Sequence, residues 1–173
     1  HELAEMEGRG YLNRAVGFDA VEARSGGGRR EIATLHDSPH DDLFEAEGSY
    51  GKISSGDRYS LEVSGFFYTR AFATAGGDDA ARLHDTAGDE FLYAEPGNVR
   101  MINSAYNNVA SGFATVEAFA TAGGVDQARL YDSAGDDIFV GTPETGRIYG
   151  DGYDNTAHGF ELSRATASGG YDT

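Results

Sequence analysis

The chain has 173 residues, 25 of them glycine, with no cysteine or tryptophan and 29 acidic against 13 basic side chains, a formal net charge of −16. That is about one domain's worth of chain, and its 39% apolar content is too high for an acidic disordered tail. Disulfides and thiolate metal sites are excluded, no run approaches the roughly 18 apolar residues of a membrane helix, and the negative balance argues against nucleic acid or membrane surfaces and for cations as partners.

The sequence is a repeat. Gly-Phe recurs at Gly17-Phe18, Gly65-Phe66, Gly112-Phe113 and Gly159-Phe160, about 47 residues apart, with Tyr11, Tyr59, Tyr106 and Tyr153 each six residues earlier. Leu35-His36-Asp37, Leu83-His84-Asp85 and Leu130-Tyr131-Asp132 follow the first three glycines by 18 residues. Residues 1–16 are then the end of one copy, residues 17–64, 65–111 and 112–158 are whole copies, and residues 159–173 begin another. Because the array enters at His1 and leaves at Thr173 in mid-copy, the chain reads as a piece of a longer protein.

Taken in order, each copy alternates short strands with turns. The clearest copy opens on Val116–Ala122, where small apolar residues alternate with others at the period of a strand, and Gly123-Gly124 ends the run. Ala128–Tyr131 resumes the alternation, Ser133-Ala134-Gly135-Asp136 turns the chain, and Ile138–Val140 and a run near Arg147–Tyr149 follow. Four or five strands per copy at a fixed long period predict an all-β fold, a right-handed parallel β-solenoid (a β-helix or β-roll). A β-propeller of four-stranded blades is the alternative. In a solenoid of stacked copies, Glu22, Arg70, Glu117 and Arg164 form a ladder of alternating sign, and the four Gly-Phe phenylalanines and four tyrosines form stacked aromatic ladders.

Asp132-Ser133-Ala134-Gly135-Asp136-Asp137-Ile138-Phe139-Val140 resembles the calcium-binding nonapeptide of repeats-in-toxin (RTX) proteins, with Asp-Ser in place of the leading glycine pair. The resemblance implies a ligand at Asp137 and an inward side chain at Phe139, with Glu90 and Leu92, and Asp42 and Phe44, in the earlier copies. A weaker half-match recurs at Gly76-Gly77-Asp78-Asp79, Gly123-Gly124-Val125-Asp126 and Gly169-Gly170-Tyr171-Asp172, while the first copy carries Gly28-Arg29-Arg30-Glu31 instead. Calcium takes six to eight oxygen ligands, and flexible Gly/Asp corners supply carboxylates and carbonyls. The candidate ligands are Asp37, Asp42, Asp79, Asp85, Asp89, Glu90, Asp126, Asp132, Asp136 and Asp137. The competing reading is that these residues serve only as turn formers and amide caps.

His36, His84 and Tyr131 share one repeat position, beside Thr34, Arg82 and Arg129. Copying with the scaffold argues against catalysis, so no catalytic residue is assigned. The expected function is a structural segment of a large secreted or cell-surface bacterial protein, an adhesin, stalk, sheath or filament, stabilised by calcium and associating with copies of itself. Its partners are neighbouring repeats or extracellular polysaccharide, not nucleic acid and not the membrane interior. The alternative is a carbohydrate-binding or polysaccharide-lyase module on a β-helix, with Phe72 and Phe119 as stacking residues.

Overall fold

Apolar side chains at every second position give strands that bury one face only, and such strands are stable when two sheets close on each other. The computed structural model describes residues 3–27 and 31–173. The divergent corner at residues 28–31 therefore falls largely outside the described residues.

β1 (Leu3–Gly8) and β2 (Tyr11–Val16) end the first, partial copy. The first whole copy contributes β3 (Ala20–Arg24), β4 (Ile32–His36), β5 (Leu43–Glu47), β6 (Tyr50–Ser54) and β7 (Ser60–Ser64). The next contributes β8 (Tyr68–Phe72), β9 (Ala80–His84), β10 (Phe91–Glu95), β11 (Asn98–Ile102) and β12 (Asn107–Ser111). The third contributes β13 (Thr115–Phe119), β14 (Gln127–Tyr131), β15 (Ile138–Gly141), β16 (Thr145–Gly150) and β17 (Tyr153–His158), and β18 (Leu162–Thr166) opens a further copy. Each whole copy thus has five strands, and no helix occurs among the described residues.

The strands form two nine-stranded sheets, wound as a β-solenoid of about 4 turns rather than a propeller or a barrel. Sheet I runs β18-β14-β10-β11-β12-β8-β4-β1-β2, and sheet II runs β15-β16-β17-β13-β9-β5-β6-β7-β3. Parallel pairs such as β4–β8, β5–β9, β9–β13 and β13–β17 carry the stacking from copy to copy. The antiparallel pairs lie inside copies, except that β1 joins the partial first copy to β4 antiparallel. In the middle copy β10 lands beyond β8 in sheet I, and β11 and β12 fold back antiparallel to fill the interval.

This hairpin sets the phase of the array. Each copy crosses between the sheets an odd number of times before the next begins, so successive copies start on opposite sheets: β3 and β13 in sheet II, β8 and β18 in sheet I. Two expectations are corrected on this ground. Glu22 and Glu117 lie on sheet II and Arg70 and Arg164 on sheet I, so they are not neighbours in one charge ladder; their alternating sign marks the alternation of sheets. The Gly-Phe and tyrosine residues likewise form no continuous ring stacks: Phe113 stacks on Phe44 at 6.0 Å, and Phe18 is 59% exposed.

The core lies between the sheets and is thin, because inward positions combine one large residue with one small, as in Ala33/Leu35, Phe44/Ala46, Ala81/Leu83 and Leu92/Ala94. Small partners let the sheets approach while the large ones interdigitate. Phe139, expected inward like Phe44 and Leu92, is 38% exposed because β15 is the outermost strand of sheet II.

Stacking also requires backbone to approach backbone. Gly124 has a φ of 117°, and a Cβ there would stand 1.9 Å from the carbonyl oxygen of Gly88 one coil below. Gly77 and Gly170 make the same approach to His40 and Gly135, whereas a Cβ on Gly123 would meet nothing within 4 Å. Gly124→Ala should therefore cost about 3 kcal/mol or more and Gly123→Ala, which is strained only in its backbone, about 1 to 2. Thermal melts of the two variants check this; equal losses would contradict the close approach.

Candidate metal centres

Three turns of the same construction join the sheets: Asp37–Asp42 between β4 and β5, Asp85–Glu90 between β9 and β10, and Asp132–Asp137 between β14 and β15. Onto each sits the Gly-Gly-x-Asp turn of the following coil. Three acidic groups result, Asp37/Asp42/Asp79, Asp85/Glu90/Asp126 and Asp132/Asp137/Asp172, each presenting carboxylate oxygens within 4.8 Å of one another. Strand direction puts the first and third at one lateral edge of the solenoid and the second at the opposite edge.

Hydrogen bonds tie the two turns of each group reciprocally. The lower turn's first carboxylate accepts amides from above: Asp37 Oδ2 from Thr74 and Ala75 at 2.7 Å, Asp85 Oδ2 from Ala122 at 2.7 Å, and Asp132 Oδ2 from Ser168 and Gly169. The upper turn's carboxylate accepts an amide from below, that of Asp42 on Asp79 at 2.9 Å, Glu90 on Asp126 at 2.7 Å and Asp137 on Asp172 at 3.1 Å. The middle carboxylate is held by its own turn and by the tyrosine of its copy. Asp137 accepts from the Ser133 hydroxyl and amide and, at 2.8 Å, from the Tyr153 hydroxyl. Asp42 takes the same bonds from Ser38 and Tyr59. Glu90, one methylene longer, gathers Thr86, Asn103 and Tyr106 on Oε1.

These bonds leave charge unbalanced. Among the described residues no Lys or Arg forms an ion pair with any of the nine carboxylates. Asp37 Oδ1 and Glu90 Oε2 are buried with no hydrogen-bond partner. Burial, reinforced by the negative charge of Asp42, Asp37 and Asp41, outweighs the amide bond from Asp42 and pushes Asp79 up to about 6. Burial with Glu90 and Asp85 does the same to Asp126, also to about 6, against the amide bond from Glu90. Tyr59, Tyr106 and Tyr153 are all raised, by burial first and then by the carboxylates they bond. Asp132 is lowered, chiefly by the Ser168 amide. Clustered, partly desolvated carboxylates with spare lone pairs need either a proton or a hard cation between them.

Eight of the ten candidate ligands thus converge in the three groups. Asp89 and Asp136 do not: they accept the amides of Val125 and Tyr171 at 2.9 Å, in the next turn up, outside the carboxylate groups. Asp172 joins the third group and was not among the ligands expected; its Gly-Gly-x-Asp setting, shared with Asp79 and Asp126, was the available signal. The tyrosines were also missed as site residues, although they follow the middle carboxylate by 17, 16 and 16 residues. The His36, His84 and Tyr131 row is divided between the sheets: His36 stacks on Phe72 in sheet I, while His84, Phe119 and His158 stack in sheet II at 4.9 and 4.7 Å. No protein family, curated protein or solved structure matches the chain.

The raised carboxylates fix the sign of a pH effect. Asp79 and Asp126 bind protons up to about pH 6 when folded, against an ordinary value of 3.8, so their penalty on folding is full above pH 6 and relieved as pH falls toward 4. In EDTA the chain should melt about 3–6 °C higher at pH 5 than at pH 7.5, and lose stability again below pH 4 as Asp132 is protonated. A melting temperature that falls monotonically from pH 7.5 to pH 5 would contradict this charge balance.

Proposed function

We propose that the chain is a structural segment of a secreted or cell-surface repeat protein, a rod whose coils are joined by a divalent cation, calcium, held in the carboxylate groups of its turns. The observation that carries the reading is the recurrence, in three copies and at both edges of the solenoid, of three convergent carboxylates that no Lys or Arg among the described residues neutralises. Asp85, Glu90 and Asp126 would supply oxygens in the second group, Glu90 through its unpartnered Oε2. Oxygen-only donors favour calcium or magnesium over softer metals, and flexible glycine turns suit the looser shell of calcium. A cation bound to the folded turns and not to the unfolded chain would raise stability by mass action.

The resemblance to the RTX nonapeptide supports calcium, with a different layout: the ligands come from one acidic turn and one Gly-Gly-x-Asp turn rather than from tandem nonapeptides. Repetition of the groups favours a scaffold over an enzyme, since turnover needs one site and reach needs many. Strand β3 at one end of sheet II, and β18 and β2 at the ends of sheet I, offer edges through which neighbouring repeats or further copies would continue the rod, while at the other end of sheet II Phe139 of β15 already pairs with Thr173.

Calorimetric calcium titration with thermal melting tests the reading. Calcium should raise the melting temperature by roughly 5–10 °C at 100-fold excess over Kd, magnesium should do less, and EDTA should reverse the gain. Asp126→Asn, which removes charge and keeps shape, should abolish binding at the second group while the metal-free protein stays folded. Absence of binding at millimolar calcium would overturn the proposal and leave the carboxylates as amide staples alone. A third variant, Tyr106→Phe, removes one donor to Glu90 and should cost about 1 kcal/mol in EDTA and less with calcium, as double melts would show.

A further inference from the structure

The outer face of sheet I carries a pattern unrelated to the acidic turns. Strand register places Arg164, Arg129, Tyr93, Arg100, Val109 and Arg70 side by side, one from each of β18, β14, β10, β11, β12 and β8. Each is the middle residue of its strand, so they form a straight row running along the solenoid axis. A strand spacing of about 4.8 Å sets Arg164 and Arg129 roughly 5 Å apart, and Arg129, Arg100 and Arg70 roughly 10 Å apart in succession.

In a chain of net charge −16, these four arginines have no carboxylate partner among the described residues. Elsewhere the cations are neutralised across strands: Arg82 pairs with Glu117 at 3.3 Å, Arg147 with Asp154 at 2.6 Å and Lys52 with Glu62 at 3.4 Å on sheet II, and Arg14 pairs with Glu5 at the β1–β2 end of sheet I. In the row, three of the four guanidiniums lie on aromatic rings instead. Arg100 and Arg129 sit 4.8 and 5.6 Å from the Tyr93 centroid, and Arg70 is 5.8 Å from that of Tyr68. Stacking of this kind holds the planar group in place and leaves its N–H edge free for a bidentate anion. Beside the row Phe91, Tyr93 and Ile102, together with Asp89, line an open cleft of about 550 Å³, and Arg129, Tyr131, Arg164 and Thr166 line another of about 260 Å³, which holds no carboxylate.

We propose that this face binds a linear, carboxylate-bearing polysaccharide, laid along the arginine row with its sugar rings against Phe91 and Tyr131. The row is one residue wide and several strands long, which fits an extended polymer better than a globular partner. Its positive charges are spaced at one or two strand pitches, each pitch close to the length of one pyranose residue. A duplex nucleic-acid strand presents a phosphate every 3.4 Å or so, out of step with arginines one or two strand pitches apart. Carboxylates would take the guanidinium edges, and the half-buried rings of Phe91 and Tyr131 would take the apolar faces of the sugars.

The inference is independent of the cation proposal, and the test is run in EDTA so that no ion bridges ligand to protein. The whole chain is titrated calorimetrically at low salt with polygalacturonate, with its methyl ester and with single-stranded DNA. Two double variants accompany it: Arg100→Gln/Arg129→Gln in the row, and Arg82→Gln/Arg147→Gln, which removes equal charge from sheet II. Polygalacturonate should bind, the ester and the row variant should bind about 10-fold or more weakly, and the sheet II variant should stay within about twofold. Arg100→Lys/Arg129→Lys, which keeps charge and loses the planar fork, should fall between the row variant and the native chain, and circular dichroism confirms that each variant is folded. No binding of polygalacturonate, equal binding of the ester, tighter binding of DNA, or equal losses in the two glutamine variants would each overturn the proposal.

Discussion

Everything in this array depends on the exchange of amide protons between stacked turns. A lower turn offers a carboxylate to the amides of the turn above, and the upper turn returns an aspartate to an amide below, as Asp85 does with Ala122 and Asp126 with Glu90. A turn at the edge of a two-sheet coil has backbone amides that no strand can satisfy, and burying them unpaired would be costly. Carboxylates meet that demand strongly but only if the two backbones nearly touch. Gly77, Gly124 and Gly170 permit the touch, since a side chain there would run into the carbonyl beneath.

The exchange has an electrostatic consequence. Each joint gathers three carboxylates, and the tyrosine hydroxyl and Ser or Thr hydroxyl that bind the middle one are neutral donors that orient charge without cancelling it. Two oxygens, on Asp37 and Glu90, remain buried and unbonded. A fold that used acid only to cap amides could have placed a cationic side chain against the cluster, yet among the described residues the arginines of the strands lie elsewhere, paired on sheet II and at the β1–β2 end of sheet I, and unpaired in the row from β18 to β8. The molecule thus separates three roles in space: joints at the edges, paired charges on sheet II and at one end of sheet I, and an unpaired arginine row along the rest of sheet I. Successive copies starting on opposite sheets make this division possible, because one repeat position then serves both faces in turn.

Much of the fold was legible because the copies carry the same turn chemistry at nearly constant spacing. Gly-Gly-x-Asp and Asp-(Ser/Thr)-Ala-Gly-Asp can each be read locally, and Asp126, Glu90 and Asp85 were identified from them. What could not be read was the path between turns. A hairpin such as β11–β12 leaves no mark in a 47-residue period that says whether the next copy resumes on the same sheet. For that reason the sign alternation of Glu22, Arg70, Glu117 and Arg164 looked like a ladder, and the true row, which joins Arg70 to Arg100 and Arg129 through strands of different repeat position, was invisible. Tyr59, Tyr106 and Tyr153 were read as packing because nothing local ties a tyrosine to a carboxylate more than a dozen residues before it.

Anomalous scattering from crystals grown with terbium in place of calcium tests the central claim most directly, that the carboxylate joints of the array are closed by a hard cation. The account predicts a peak at each of the three groups, bonded by oxygens of Asp37/Asp42/Asp79, Asp85/Glu90/Asp126 and Asp132/Asp137/Asp172. Peaks confined to exposed carboxylates such as Asp89 and Asp136, or no peaks at all, would contradict it.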